Sequence, residues 1–106
     1  MNASENTMPS KPNERVAIEN VTSPGRIVRV DAARYEAMRT AVVAVHPKKT
    51  PGLTVTELKT RVLPLLPEAR FPGGDKAVWL KAVQLDLEAK GLIAREEARP
   101  LRFRRR

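Results

Sequence analysis

The sequence predicts a mainly α fold with a small β component: three helices, a C-terminal β-hairpin and a short N-terminal hairpin. Three stretches carry that reading. Residues 74–93, G-D-K-A-V-W-L-K-A-V-Q-L-D-L-E-A-K-G-L-I, have the composition of a long helix and a glycine where a helix would stop. Thr54-Val55-Thr56-Glu57 is a capping box, in which the threonine hydroxyl and the glutamate carboxylate each satisfy an orphan backbone N–H. After Gly91, apolar and charged residues alternate over 92–95 and again over 101–104, as half-buried strands do.

Along the chain, residues 1–13 carry Asn, Ser, Thr, Pro and Lys without an apolar period, and a disordered tail is expected there. The folded domain is expected over 14–104, with 105–106 as a basic end. Residues 15–30 read as a hairpin, with Val16 and Ile18 alternating on one side, Val28 and Val30 on the other, and Pro24-Gly25 at the centre of a type II turn. Asp31 is a suitable N-cap for a helix over 32–45, in which Tyr35, Met38, Val42 and Val45, flanked by Ala41, form one apolar stripe. His46-Pro47 ends it, because the residue before proline is disfavoured in the α region.

The second helix buries Val55, Leu58, Val62 and Leu65 or Leu66, with Lys59 and Arg61 outside, and Pro64 ends or kinks it near Leu63. Phe71 anchors the following turn on the core. The third helix starts at Asp75 or Lys76 and runs roughly 22 Å to Gly91. At 100° per residue, Leu80, Val83 and Leu87 face the core, and Val78, Ala82, Leu85 and Ala89 lie nearly opposite. Lys81, Gln84 and Glu88 form a polar stripe with Ala77; Trp79, Asp86 and Lys90 form the other flank, where Trp79 fills a half-buried gap beside the core.

Composition narrows the function. The chain has 106 residues, no cysteine and a single histidine, so disulfides, thiolate metal sites and cysteine nucleophiles are excluded. His46, the one histidine, has no evident triad partner and reads as a polar residue near a helix C-terminus, where a protonated imidazole is mildly favoured. No Gly-rich phosphate loop, metal-ligand cluster or paired-carboxylate site is present in the sequence. No enzyme, catalytic residue, cofactor, metal or small-molecule substrate is therefore expected. No apolar run approaches the roughly 18 residues of a membrane span, and the N-terminus lacks the pattern of a secretory signal. A cytoplasmic protein with no membrane partner is the expectation.

The net charge is +8 with a pI near 10.6, a balance that favours polyanions. Its distribution is uneven: residues 71–90 are neutral, whereas 91–106 carry +4.

Leu87-Glu88-Ala89-Lys90-Gly91-Leu92-Ile93-Ala94-Arg95 closely resembles the L-E-x-K-G-L-I-x-R junction between recognition helix and wing in winged helix-turn-helix proteins, including the MarR-like and PadR-like regulators. The order of helices and hairpin resembles that superfamily over residues 31–104. The wider pattern, with S-P-G-R, V-D-A-A-R-Y-E-A-M, F-P-G-G, W-x-K-x-V-Q-L-D-L-E-A-K-G and P-L-R, is similar to a family of small uncharacterised bacterial proteins. The superfamily resemblance implies a winged-helix fold and a transcription-related, DNA-binding role. Duplex DNA would then meet Arg95, Arg99, Arg102, Arg104, Arg105 and Arg106 of the wing and tail, with Lys76, Lys81 and Gln84 of the third helix. Arg102 and Arg104 are expected on the solvent side of their strand. Against base reading stand Val78, Ala82 and Leu85, which cannot hydrogen-bond base edges, and Asp86 and Glu88, which phosphates would repel. The alternative partner is a second copy or another protein, with Val78, Trp79, Ala82, Leu85 and Ala89 in the interface.

Overall fold

A computed structural model describes residues 14–106. The elements in order are β1 (Arg15–Ile18), β2 (Val28–Asp31), α1 (Ala32–Val45), β3 (Leu53–Thr54), α2 (Val55–Val62), a 3-10 turn (Leu63–Leu65), α3 (Asp75–Ala89), β4 (Ile93–Glu96) and β5 (Arg102–Arg105). This is the mainly α fold with a small β component that the sequence predicts, with both hairpins present. The expected tail at 1–13 lies outside the described residues.

The first hairpin is antiparallel, Val16 opposite Val30 and Ile18 opposite Val28. Cross-strand partners share a face, so the four apolar residues lie together rather than on two sides. Ile18 is buried there, while Val16 and Val30 pack partly against the core. At the turn the Ser23 carbonyl accepts from Arg26 N–H at 3.1 Å and Gly25 has φ +88°, as the Pro-Gly pair requires.

Asp31 caps α1 by accepting from Arg34 N–H at 2.9 Å. Its core stripe is Tyr35, Met38, Ala41 and Val42, with Val45 half-buried. The Thr54/Glu57 capping box of α2 has both bonds, 3.2 Å into the threonine hydroxyl and 2.9 Å into the carboxylate. Pro64 converts the end of α2 into the 3-10 turn, whose two flanks bury Val62 and Leu66. Val55, expected inside, is 49% exposed, and Leu65 also faces out. The first residue of α2 sits where the helix leaves the sheet, ahead of the turn that packs on α1.

Phe71 is fully buried, and Trp79 stands edge-on to it with ring centroids 6.0 Å apart. Helix α3 closes as its sequence indicates: Gly91 N–H bonds to the Glu88 carbonyl at 3.1 Å and Leu92 N–H to the Leu87 carbonyl at 2.9 Å, with Gly91 at φ +79°. These two bonds are the 5→2 and 6→1 pairings of a Schellman end.

The C-terminal sheet has three strands, in the order β3-β5-β4. The sequence predicts only the hairpin; the two residues of β3 are too few to show a period, and their partners Phe103 and Arg102 lie some fifty positions away. Gly52, just before β3, lies against the Phe103 backbone, which a Cβ would strike. The basic end is not separate, because Arg105 is within β5, its N–H donates to the Pro47 carbonyl at 2.8 Å, and Arg106 N–H donates to the Leu92 carbonyl at 3.0 Å.

One core joins both hairpins and all three helices: Ile18, Met38, Val42, Leu58, Val62, Phe71, Leu80, Val83, Leu87, Ile93 and Phe103 are its centre. Among the described residues no helix is long and apolar enough to cross a membrane.

Candidate functional site

The sequence assigns charge to the third helix's flanks, and the structure removes part of it from the surface. Asp86 is fully buried. Its carboxylate accepts from the Tyr35 hydroxyl at 2.7 Å, from Glu19 N–H at 2.8 Å and from the Lys90 ammonium at 2.9 and 3.0 Å. The expected repulsion of phosphates by Asp86 therefore does not arise, since the group faces inward among donors that make its burial tolerable. Burial and the adjacent Asp86 carboxylate push the Tyr35 phenol above its usual pKa. Burial alone would lower Lys90, but its hydrogen bonds to Asp86 and Tyr35 prevail and raise it.

Gln84 is also buried, at 7% exposure, and its amide donates toward Glu88 at 3.5 Å. A side chain so placed is a poor reader of base edges, so its expected role at DNA is not what the packing favours. His46, 1% exposed, bonds through Nδ1 to the Val42 carbonyl at 2.6 Å. Burial holds its pKa below the ordinary histidine value, the opposite of the mildly favoured protonated imidazole expected at a helix C-terminus.

The expected DNA-contacting set does not form one surface. Strand register places Arg95 beside Phe103 and Arg105 beside Ile93, on the sheet face that carries core residues. Arg102 and Arg104 project from the other face. Most of the set is already engaged: Arg95 with Glu88 at 2.9 and 3.3 Å, Arg104 with Glu96 at 3.2 Å, and Lys76 with Glu68 at 3.0 Å. Arg102 donates to the Gly52 carbonyl at 2.8 Å and reaches Glu57 at 3.5 Å, while Arg105 donates to the His46 carbonyl at 3.0 Å. Glu88 raises the Arg95 pKa further, mainly through that hydrogen bond. Among the described residues Lys81, Arg99 and Arg106 have no carboxylate within 4.0 Å, and both arginines are exposed.

The outer face of α3 is divided. On one side the N-terminal hairpin crosses it: Glu19 N–H bonds to Asp86, Val21 N–H reaches the Leu85 carbonyl at 3.3 Å, and Ala82 lies beside Ile18, Val28 and Val30. On the other side is a groove of about 570 Å³, walled by Val55 and Leu58 of α2, Val78 and Leu85 of α3, and Leu101 and Phe103 of the hairpin. Val78 is 69% exposed at its mouth. Ala77 and Leu80 add to the apolar part, and Gln84, Lys59, Lys81 and the Arg95–Glu88 pair are its polar part. Of the expected interface, Val78 and Leu85 line this groove, Trp79 packs on Phe71, and Ala82 and Ala89 are half-buried.

Helical spacing on α3 shows half of the groove in the sequence. Val55, Leu101 and Lys59 are not legible as groove residues in the sequence, because their approach to α3 depends on how α2 and the hairpin pack. Among the described residues no group of three or more His, Cys, Asp or Glu side chains converges as a metal site.

No curated protein and no solved structure matches the chain. Residues 15–103 match a family of unknown function (DUF6958), and the chain belongs to that family.

Proposed function

We propose that this protein is a winged-helix module used for protein docking, a binding protein rather than an enzyme, working in the cytoplasm. The observation that carries the reading is the apolar groove between α2, α3 and the C-terminal hairpin, with Val78 and Val55 standing in solvent at its edge. Exposed apolar residues grouped around a concavity mark contact surfaces more than they mark folding requirements. The DNA-binding reading loses weight for the complementary reason: Arg95, Arg102, Arg104 and Lys76 are held by the chain's own carboxylates, so phosphates would have to displace Glu88, Glu57, Glu96 and Glu68.

The test is a methyl-resolved NMR titration of the full chain with a Gln-flanked amphipathic helical peptide and, separately, with duplex DNA. Saturable shifts at Val55, Val78, Leu85 and Leu101 with the peptide, abolished by Val78→Asp in a chain with unchanged dispersion, support docking. Saturable shifts with DNA alone, centred on the hairpin arginines, would transfer the function to nucleic acid.

A further inference from the structure

From this groove, and resting on the docking reading above, we infer that its partner is an acidic amphipathic helix from another protein. The occupant's charge follows from the rim. Lys59 of α2 and Lys81 of α3 both line the groove, both are exposed, and neither has a carboxylate within 4.0 Å among the described residues. Glu88, the acidic side chain in the lining, is neutralised by Arg95 at 2.9 Å, and Arg95 also lies over the Phe103 ring at 5.5 Å. A largely apolar groove lined by two uncommitted ammonium groups, one on α2 and one on α3, accepts carboxylates beside an apolar stripe and repels cations there.

A second copy of the chain fits poorly. A two-fold interface would bring the Lys59 and Lys81 rim against itself, in a molecule that already carries +8.

The occupant's secondary structure follows from the walls. They are built from side chains of two helices and of the hairpin face bearing Phe103 and Arg95, so the guest must satisfy its own backbone hydrogen bonds. A helix does so internally, whereas an extended segment laid on these side chains would have to leave its backbone to water. The α3 wall from Val78 through Lys81 and Leu85 to Glu88 is roughly 15 Å long at the helical rise, which matches about three turns of a guest helix with anchors at i, i+3 or i+4, and i+7.

Three labelled probes decide it with the full chain: two peptides of about 18 residues, long enough for stable helix, with identical leucine stripes and either Glu or Lys flanks, and a duplex of about 20 base pairs, which supplies phosphate charge alone. Fluorescence anisotropy at low ionic strength should show the Glu-flanked peptide binding at least about tenfold tighter than the Lys-flanked one, with the gap narrowing as salt is added. Lys59→Glu with Lys81→Glu should reverse the preference, and both residues are exposed, so the fold should tolerate the change. Equal affinity for the two peptides, or a preference that survives the double substitution, overturns the acidic partner and leaves docking intact. Failure of both peptides to bind, with Val78 and Leu85 methyl signals unmoved, overturns docking itself. Tighter binding of the duplex than of the Glu-flanked peptide, lost on the same double substitution, assigns the two lysines to phosphate and overturns the inference.

Discussion

Asp86 of α3 and Tyr35 of α1, 51 positions apart in the chain, share a 2.7 Å hydrogen bond inside the protein, and Glu19 N–H and Lys90 close on the same carboxylate. This cluster ties the N-terminal hairpin, the first helix and the third helix together. Tyr35→Phe removes one charge-assisted bond and should cost about 2 kcal/mol. Asp86→Ala removes the acceptor for three donors, leaving the tyrosine hydroxyl and a backbone N–H without it, and should cost about 3–5 kcal/mol. Urea unfolding of the two variants checks the order; equal costs would mean that the carboxylate is not the hub.

Alkaline sensitivity follows from the same cluster. The Tyr35 and Lys90 pKa values are both raised in the folded state. Raised values mean that the folded chain holds these protons more tightly than the unfolded chain does. The stability they contribute is complete below their ordinary values of roughly 10 and is lost as pH rises through the folded ones. Denaturation midpoints should fall above about pH 10, and Tyr35→Phe should make that fall shallower.

The acid side belongs to His46, whose pKa is lowered, chiefly by burial. A depressed value means that the unfolded chain binds the proton more readily. The contribution is present above about pH 6.5 and disappears as pH falls through the folded value. His46→Gln should therefore flatten the stability profile between about pH 7 and 5. A second loss, at lower pH, comes from Glu57, held below the usual carboxylate range first by the Thr54 N–H and also by Arg102. Glu57→Gln should reduce that lower-pH loss while leaving the His46 window unchanged.

Two glycines should fail for different reasons. At Gly52 a Cβ meets the Phe103 backbone, so Gly52→Ala should cost about 3 kcal/mol or more by forcing β3 from β5. At Gly91 there is open space but φ is +79°, so Gly91→Ala should cost about 1 kcal/mol, the left-handed penalty alone. Thermal unfolding of the two variants separates close approach from backbone conformation.

How far the sequence reaches can be judged from Leu87, Gln84 and Val55. Leu87 is legible, because its place in a helical stripe one turn before Gly91 puts it in the core whatever the partner element is. Gln84 lies on the boundary of that stripe, and it is buried beside His46, at the end of α1, which a helical wheel of α3 cannot supply. Val55 has the chemistry of a core residue and the register to be one. It is exposed because α2 meets the sheet at its first turn, and that exposure makes one wall of the candidate groove.

The local signals determined the element order, the Asp31 cap, the Thr54/Glu57 box, the Pro64 break and the Gly91 reversal, since each depends on neighbours within about one helical turn. Tertiary structure decided the rest: a third strand at Leu53–Thr54, the burial of Asp86 against Tyr35, the division of the arginines between two sheet faces, and the pairing of Arg95 with Glu88. The physical reason is range. Capping and periodicity act through bonds between near neighbours, whereas the exposure and charge of a functional surface depend on which distant side chains arrive beside it.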